Sequence, residues 1–170
     1  MKENGSGRPR LWRAPARVLA AGLTALCTAA GLAPGSGTLW AGQTTCPATT
    51  ADAEGPFYTP NALVRSVIGQ GLVVTGTVRS AGSCAPIPRA RLEWWQANPH
   101  GQYDDAHRAT QAADGDGHYR LETSVPGRYP GRPVHLHAKV SAPGYGTLTT
   151  QLYPKPGQAE ITFDFVLRLQ

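Results

Sequence analysis

Two histidines in the motif His135-Leu136-His137 have a spacing suited to metal chemistry. On a β-strand, side chains two positions apart point to the same face, so both imidazoles can reach one ion. Two histidines with this spacing also occur in proteins as ordinary surface or packing residues. The motif therefore indicates a metal site only where further ligands lie close to it.

Two tyrosines follow glycines at similar turns and offer phenol oxygens as further ligands. Tyr103 ends the triplet Gly101–Tyr103 after a tryptophan-containing strand, and Tyr129 ends the triplet Gly127–Tyr129. Packing against the backbone is the alternative role for each tyrosine taken alone. Arg132 lies three residues after Tyr129 and three before His135, so a phenol, a guanidinium and two imidazoles fall within nine residues.

Short β-rich runs, separated by turns of Gly, Pro and Asp, must position these side chains. The chain has no convincing helical periodicity and no internal repeat. This pattern predicts an all-β fold, a two-sheet β-sandwich whose loops build a site at one end. The predicted strands are Leu72–Val78, Ala90–Gln96, His118–Ser124, Val134–Ser141, Leu148–Tyr153 and Ile161–Leu169.

The run Asp114–Gly117 alternates aspartate and glycine and is a strong turn signal. A calcium loop would require later carboxylates that the sequence lacks, so a hairpin turn is predicted. The histidines His100, His107 and His118 have no partner at ligand spacing, and we interpret them as loop or turn residues.

Six short segments occur in an informative order: Glu54–Tyr58, Trp95–Tyr103, Asp116–Tyr119, Pro126–Tyr129, Arg132–His137 and Thr150–Tyr153. Together they resemble the motifs of the intradiol ring-cleavage dioxygenases, the family of catechol and protocatechuate dioxygenases. The resemblance covers roughly residues 46–169. It implies an enzyme that cleaves catechol-type rings between the two hydroxyl-bearing carbons. Both atoms of O₂ would enter a muconate-type dicarboxylate.

The same resemblance implies one cofactor, a mononuclear non-haem Fe(III) ion held by Tyr103, Tyr129, His135 and His137. This ligand set is chemically reasonable because Fe³⁺ is a hard cation. Two phenolates and a hydroxide balance its charge, and neutral imidazoles complete the shell. In the family, the tyrosine that matches Tyr129 leaves when substrate binds and helps to take up the substrate protons.

The resemblance also assigns residues to substrate binding and to the stabilisation of charge during the reaction. Arg132 is expected to stabilise negative charge that develops on the ring, and Gln151 to orient Arg132. A surface position or a salt bridge to Glu122 is the alternative for Arg132. The residues expected to form a wall of the substrate pocket are Tyr58, Gly55 and Pro56, whereas Trp94 and Trp95 are equally well explained by packing alone.

The first 41 residues have the pattern of an export signal. Residues 1–17 carry five basic side chains against Glu3, and a small, apolar run extends from Val18 to Ala33. A membrane span usually needs about 20 apolar residues. We therefore expect a signal peptide at residues 1–41, with an uncleaved anchor as the alternative, and one domain at residues 42–170. The protein is expected to be exported, to the periplasm or the extracellular space.

Excluding this segment changes what the charge of the 170-residue chain indicates. The whole chain has a formal charge of +5, yet eleven basic and ten acidic residues remain from Gly42 onward. No nucleic-acid partner is therefore expected, and membrane contact is expected only through an uncleaved leader. Cys46 and Cys84 also remain, and in an oxidising compartment they are predicted to form a disulfide, with two unpaired thiols as the alternative.

Two other classes of protein compete with the dioxygenase hypothesis. The stretch Val74–Tyr129 also resembles transthyretin-type, carboxypeptidase-regulatory β-sandwiches, which are non-catalytic binding modules and need no His-x-His motif. A cupin metal site would require a glutamate shortly after His137, and the sequence has none there. For the dioxygenase, the expected partners are a small catechol and O₂. The particular catechol and a homo-oligomeric state stay open.

Overall fold

In the part of the chain that the structure describes, eight strands form two four-stranded sheets. The computed structural model describes residues 45–128 and 130–170, so the predicted leader and Tyr129 lie outside the described residues. Within these ranges no helix forms, and accordingly none is long and apolar enough to span a membrane. The strands are β1 Gly71–Ser80, β2 Arg91–Ala97, β3 Tyr103–Ala112, β4 His118–Ser124, β5 Leu136–Ser141, β6 Leu148–Leu152, β7 Glu160–Thr162 and β8 Phe165–Leu167.

The strand order confirms the prediction of an all-β, two-sheet sandwich. The first sheet has the order β4-β1-β7, and β8 also pairs with β1. The second sheet has the order β3-β2-β5-β6, and every neighbouring pair in it is antiparallel. Since β2 and β5 are central in the second sheet, residues on these two strands are held firmly against each other.

The core lies between the sheets and is built from alternating residues of the long strands. Leu72, Val74, Leu92 and Trp94 are almost completely buried, as expected for side chains that point to one face of a pleated strand. Burying each such side chain contributes about 1.5–3 kcal/mol. This core holds the sheets in place and leaves the opposite face of the second sheet for Trp95, the residue next to Trp94.

Strand β3 was not predicted from the sequence. Its residues are mostly polar, and their burial does not alternate, because four consecutive residues from Arg108 to Gln111 are all buried. One side of this edge strand pairs with β2, and on the other side Leu63 and Arg65 exchange backbone hydrogen bonds with Thr110. The interpretation of His107 as a loop residue is therefore wrong, since it lies within β3.

The last predicted strand, Ile161–Leu169, is instead two short strands, β7 and β8. The break falls at Phe163 and Asp164. The carboxylate of Asp164 accepts a hydrogen bond from the Thr77 backbone N–H at 2.8 Å and one from Arg79 Nε at 2.7 Å. A side-chain acceptor therefore replaces a ladder carbonyl at this point, which interrupts the strand.

Two other predictions at strand ends are corrected. Strand β5 begins at Leu136, so His135 lies immediately before the strand rather than within it. The turn at Asp114–Gly117 does form, and the Asp114 carboxylate accepts the backbone N–H groups of Asp116 and His118. It joins β3 to β4, which belong to different sheets, so it is not a hairpin turn.

An irregular segment at residues 45–58 precedes the sandwich and is fastened to it. Cys46 and Cys84 form a disulfide, as predicted, and closing a loop of this length contributes about 4 kcal/mol in the chain-entropy model. Backbone hydrogen bonds join Thr49 to Val166 and Asp52 to Thr149. These contacts direct the end of the segment to the face of the second sheet that carries Trp95.

Candidate metal centre

The two histidines of the His-x-His motif are positioned by the central strands of the second sheet. His137 lies on β5 directly opposite Trp95 on β2, and the two rings stack with centroids 4.7 Å apart. His135 precedes β5, and its Nε2 lies 3.0 Å from Nε2 of His137. Both histidines are buried, so the two nitrogens face each other in a site shielded from water.

Tyr103 brings an oxygen to the same point from another strand. It is the first residue of β3 and pairs with Ala97 across a register shift in β2. Its hydroxyl oxygen lies 3.3 Å from His135 Nε2 and 3.1 Å from His137 Nε2. Phe57 stacks on its ring at 4.2 Å. Three potential ligand atoms therefore converge, although Tyr103 lies more than thirty residues before the two histidines in the sequence.

A backbone contact of His135 and the burial of His137 both favour the neutral imidazole, which is the form that binds a metal ion. Nδ1 of His135 lies 2.6 Å from the carbonyl oxygen of Pro133. A carbonyl can only accept, so Nδ1 carries the proton and the lone pair of Nε2 faces Tyr103. Burial is the main cause that lowers the pKa of His137 to about 3, and the positive charge of Arg132 acts in the same direction. The His137 imidazole is therefore neutral at physiological pH.

These three side chains fit one first-row metal ion. Donors held at right angles about 2.1 Å from a shared ion lie about 3.0 Å apart, close to the separations of the three atoms. A phenol oxygen and two imidazole nitrogens are also a suitable mixture for iron. The predicted fourth ligand, Tyr129, lies outside the described residues, so its role stays a prediction.

The loop that precedes Tyr129 packs against the loop that precedes Tyr103. The backbone N–H of Gly127 donates to the Asn98 carbonyl at 3.0 Å. A Cβ atom at Gly127 would lie 2.5 Å from the backbone nitrogen of Gly101. Only glycine allows this approach, which explains the glycine two residues before Tyr129.

Arg132 and Gln151 lie beside the three converging atoms. Nη2 of Arg132 donates to Oε1 of Gln151 at 2.7 Å. The alternative of a salt bridge between Arg132 and Glu122 is not realised, since Glu122 instead pairs with Arg120 at 3.1 Å. Both Arg132 and Gln151 line a cavity of about 50 Å³ together with Tyr103, His135, His137, Gly55, Pro56 and Phe57.

The predicted pocket wall is only partly found at this cavity. Gly55 and Pro56 line it, and a Cβ atom at Gly55 would approach the His137 ring to 3.4 Å. Tyr58 does not line it: its hydroxyl donates to Glu93 at 3.2 Å and its ring packs on Trp95. Of the two aromatic residues in the motif Glu54–Tyr58, Phe57 rather than Tyr58 lines the cavity, and its place within this motif was the signal that the sequence offered.

A second group of potential ligands has a structural explanation. Asp114, Asp116 and His118 offer ligand atoms within 4.8 Å of one another, but all three residues are exposed. Their hydrogen bonds close the turn between β3 and β4. Exposed carboxylates that satisfy backbone N–H groups in this way give no reason to infer a metal ion here.

Comparisons with known proteins agree with this site. The model of the family described as "Dioxygenase" matches residues 48–168. Chlorocatechol 1,2-dioxygenase of Cupriavidus pinatubonensis is 29% identical, over 64% of this chain and 56% of that protein. Catechol 1,2-dioxygenase of Candida albicans is 31% identical, over 62% of this chain and 46% of that protein. The chain thus spans about half the length of these curated relatives.

Solved structures share the fold over more of their length. The dioxygenase domain of a dioxygenase and carbohydrate-binding protein fusion from Streptomyces sp. SirexAA-E is 34% identical with a TM-score of 0.66. The match covers 72% of this chain and 99% of that one. A non-catalytic transthyretin-type module would have no reason to bring Tyr103, His135 and His137 together. The family match and the assembled site together show that the chain belongs to the intradiol ring-cleavage dioxygenase family.

Proposed function

We propose that this chain is an iron-dependent dioxygenase that opens catechols between their two hydroxyl-bearing carbons. The observation that carries the proposal is the convergence of the Tyr103 hydroxyl and the two Nε2 atoms of His135 and His137 within 3.3 Å. The names of the relatives, which include catechol and chlorocatechol 1,2-dioxygenases, support the same class of substrate.

The ion would be held by Tyr103, Tyr129, His135 and His137. When bound, Fe(III) would act as a Lewis acid that draws electron density from a chelated catechol and makes its ring reactive toward O₂. The protein supplies neutral imidazoles and phenol oxygens in a buried site, where electrostatic interactions are stronger than in water.

In this proposal one side chain accepts a proton from the substrate and another stabilises negative charge on it. The phenolate oxygen of Tyr129 accepts a proton from the incoming catechol hydroxyl. The guanidinium of Arg132, held by Gln151 at the cavity, stabilises negative charge that develops on the ring carbon. Gly55, Pro56 and Phe57 form the wall that excludes water from one side.

The reaction balances without an external reductant. One carbon–carbon bond of the ring breaks, and both oxygen atoms of O₂ enter the dicarboxylate product. The direct test is oxygen uptake by the iron-loaded protein with catechol, chlorocatechol and hydroxyquinol under ¹⁸O₂. We expect one O₂ molecule to be consumed per ring opened, and both ¹⁸O atoms to appear in a muconate-type product. The absence of uptake with every catechol, or a semialdehyde product, would contradict the proposal.

Tyr129 can be tested as the fourth ligand by spectroscopy. A phenolate bound to Fe(III) absorbs visible light through charge transfer, so Tyr129→Phe should weaken the colour of the iron-loaded protein and shift its maximum. Tyr145→Phe is the matched control, because Tyr145 lies at the turn between β5 and β6, away from the cavity. An unchanged visible spectrum in Tyr129→Phe would overturn the ligand assignment even if activity persisted.

We also propose that the protein acts outside the cytoplasm. The basic and apolar pattern of residues 1–41 supports export, and the disulfide between Cys46 and Cys84 suits an oxidising compartment. Cell fractionation with an antibody to the sandwich domain tests this. Protein found in the cytoplasm at full chain length would contradict it.

A further inference from the structure

The hydroxyl of Tyr153 lies at the junction of three side chains beside the proposed site. Its oxygen is 2.9 Å from Gln151 Oε1 and 2.7 Å from Asp52 Oδ2. Arg132 lies near enough for its positive charge to act on the same hydroxyl. Neither Tyr153 nor Asp52 lines the cavity that holds Tyr103 and the histidines.

The orientation of the Gln151 amide decides whether the Arg132 guanidinium faces the amide oxygen or the amide nitrogen. Oε1 of Gln151 accepts the guanidinium proton of Arg132, while Nε2 donates to the Ala53 carbonyl at 2.5 Å. A flipped amide would place two donors against each other at Arg132 and two acceptors at Ala53. The Tyr153 hydroxyl has one proton, which lies between Oε1 of Gln151 and Oδ2 of Asp52. The share of this proton that Oε1 receives favours the orientation in which Gln151 can hold Arg132.

Asp52 fixes the Tyr153 hydroxyl from the other side. Its backbone N–H donates to the Thr149 carbonyl on β6 at 2.9 Å, and its Oδ1 accepts the N–H of Ala53 at 2.6 Å. The carboxylate is therefore held in place by the backbone around it. This carboxylate is the second acceptor for the single Tyr153 proton, so it holds the phenol oxygen in place between itself and Oε1 of Gln151.

We propose that Tyr153 and Asp52 are positioning residues that hold Gln151, and through it Arg132, in the orientation used at the site. The catalytic part of this inference rests on the proposed function, whereas the structural part does not. Asp52 belongs to the irregular segment that also supplies Gly55 and Pro56, and Tyr153 directly follows β6. The pair therefore joins the pocket wall to the sheet across 101 residues of sequence.

Kinetics of the iron-loaded protein test the catalytic part. Tyr153→Phe removes the hydroxyl and keeps the ring beside His135, where the centroids are 6.2 Å apart. We expect kcat to fall about tenfold, the loss typical of one charge-assisted hydrogen bond, and the visible spectrum of the iron site to stay unchanged. Asp52→Ala should act in the same direction, and Tyr145→Phe should leave kcat unchanged. A kcat of wild-type size in Tyr153→Phe would overturn the inference.

A double-mutant cycle shows whether Tyr153 acts through Arg132. In an Arg132→Ala background, Tyr153→Phe should lower kcat by less than about twofold, because the residue it positions is gone. The same tenfold loss in both backgrounds would mean that Tyr153 works independently of Arg132 and would contradict the proposal.

A measurement on the iron-free protein separates this inference from the proposed function. Side-chain NMR of arginine reports how firmly each guanidinium is held, and the Arg132 signal is assigned by its loss in Arg132→Lys. We expect Tyr153→Phe and Asp52→Ala to speed the rotation and proton exchange of the Arg132 guanidinium. If wild-type protein cleaves no catechol, the proposed function fails while this test still applies. An unchanged Arg132 signal would overturn the positioning role.

Discussion

Replacing His137 by alanine is expected to abolish tight iron binding and, with it, ring cleavage. His137 supplies one of four proposed ligands, and its ring is buried against Trp95 with Nε2 directed at Tyr103. If four ligands share a binding free energy like the roughly 10–16 kcal/mol of structural zinc sites, losing one weakens binding about 100- to 1,000-fold. Iron content after dialysis and the visible spectrum measure this loss directly.

His118→Ala is the matched control for this prediction. His118 is exposed and belongs to the cluster with Asp114 and Asp116, so its replacement also tests whether that cluster binds the iron. We expect full iron content and full activity. A second variant, His137→Gln, keeps most of the side-chain volume beside Trp95 and guards against misfolding. Retention of one tightly bound iron per chain by both His137 variants would contradict the ligand set.

Replacing Arg132 by alanine is expected to lower kcat about 100- to 1,000-fold, the range found when one preorganised electrostatic group is removed from an active site. Arg132 lines the cavity and is oriented by Gln151, but it is not a proposed ligand. The iron content and the visible spectrum should therefore stay the same, so that the loss appears only in turnover.

Two further variants make the Arg132 prediction specific. Arg132→Lys keeps the positive charge but loses the planar fork that meets Gln151, so its kcat should lie between those of the wild type and Arg132→Ala. Arg120→Ala removes an exposed arginine that pairs with Glu122 and should have wild-type kcat. If Arg132→Ala and Arg120→Ala were equally active, Arg132 would have no role in the reaction.

Much of the fold was predictable because most strands carry local signals. Strand β4 was predicted at its observed bounds, and β1 and β2 were predicted to within two residues at each end. These strands have β-branched and aromatic residues between clear turns. Strand β3 lacks such signals, because the burial of its polar residues depends on β2 and on the segment around Leu63. Those contacts are made only after the chain has folded.

The site was predictable where the chemistry lies within one motif and less so where it depends on contacts between segments. The His-x-His spacing alone suggested that His135 and His137 share a face. Phe57 and Tyr58 are adjacent in the sequence, and only the packing of Tyr58 on Trp95 reveals that Phe57 is the residue at the cavity. Asp52 and Tyr153 carried no local signal for their hydrogen bond.

The sequence by itself determined the fold class, the family and the residue types available as ligands, because short-range periodicity and ordered motifs are properties of the chain alone. The tertiary structure decided which of these side chains meet. Tyr103, His135 and Asp52 come from three separate segments, and their positions depend on the register of β2 against β3 and β5 and on the fastened segment at residues 45–58. Register and docking follow from the packing of the whole sandwich, which no single stretch of sequence encodes.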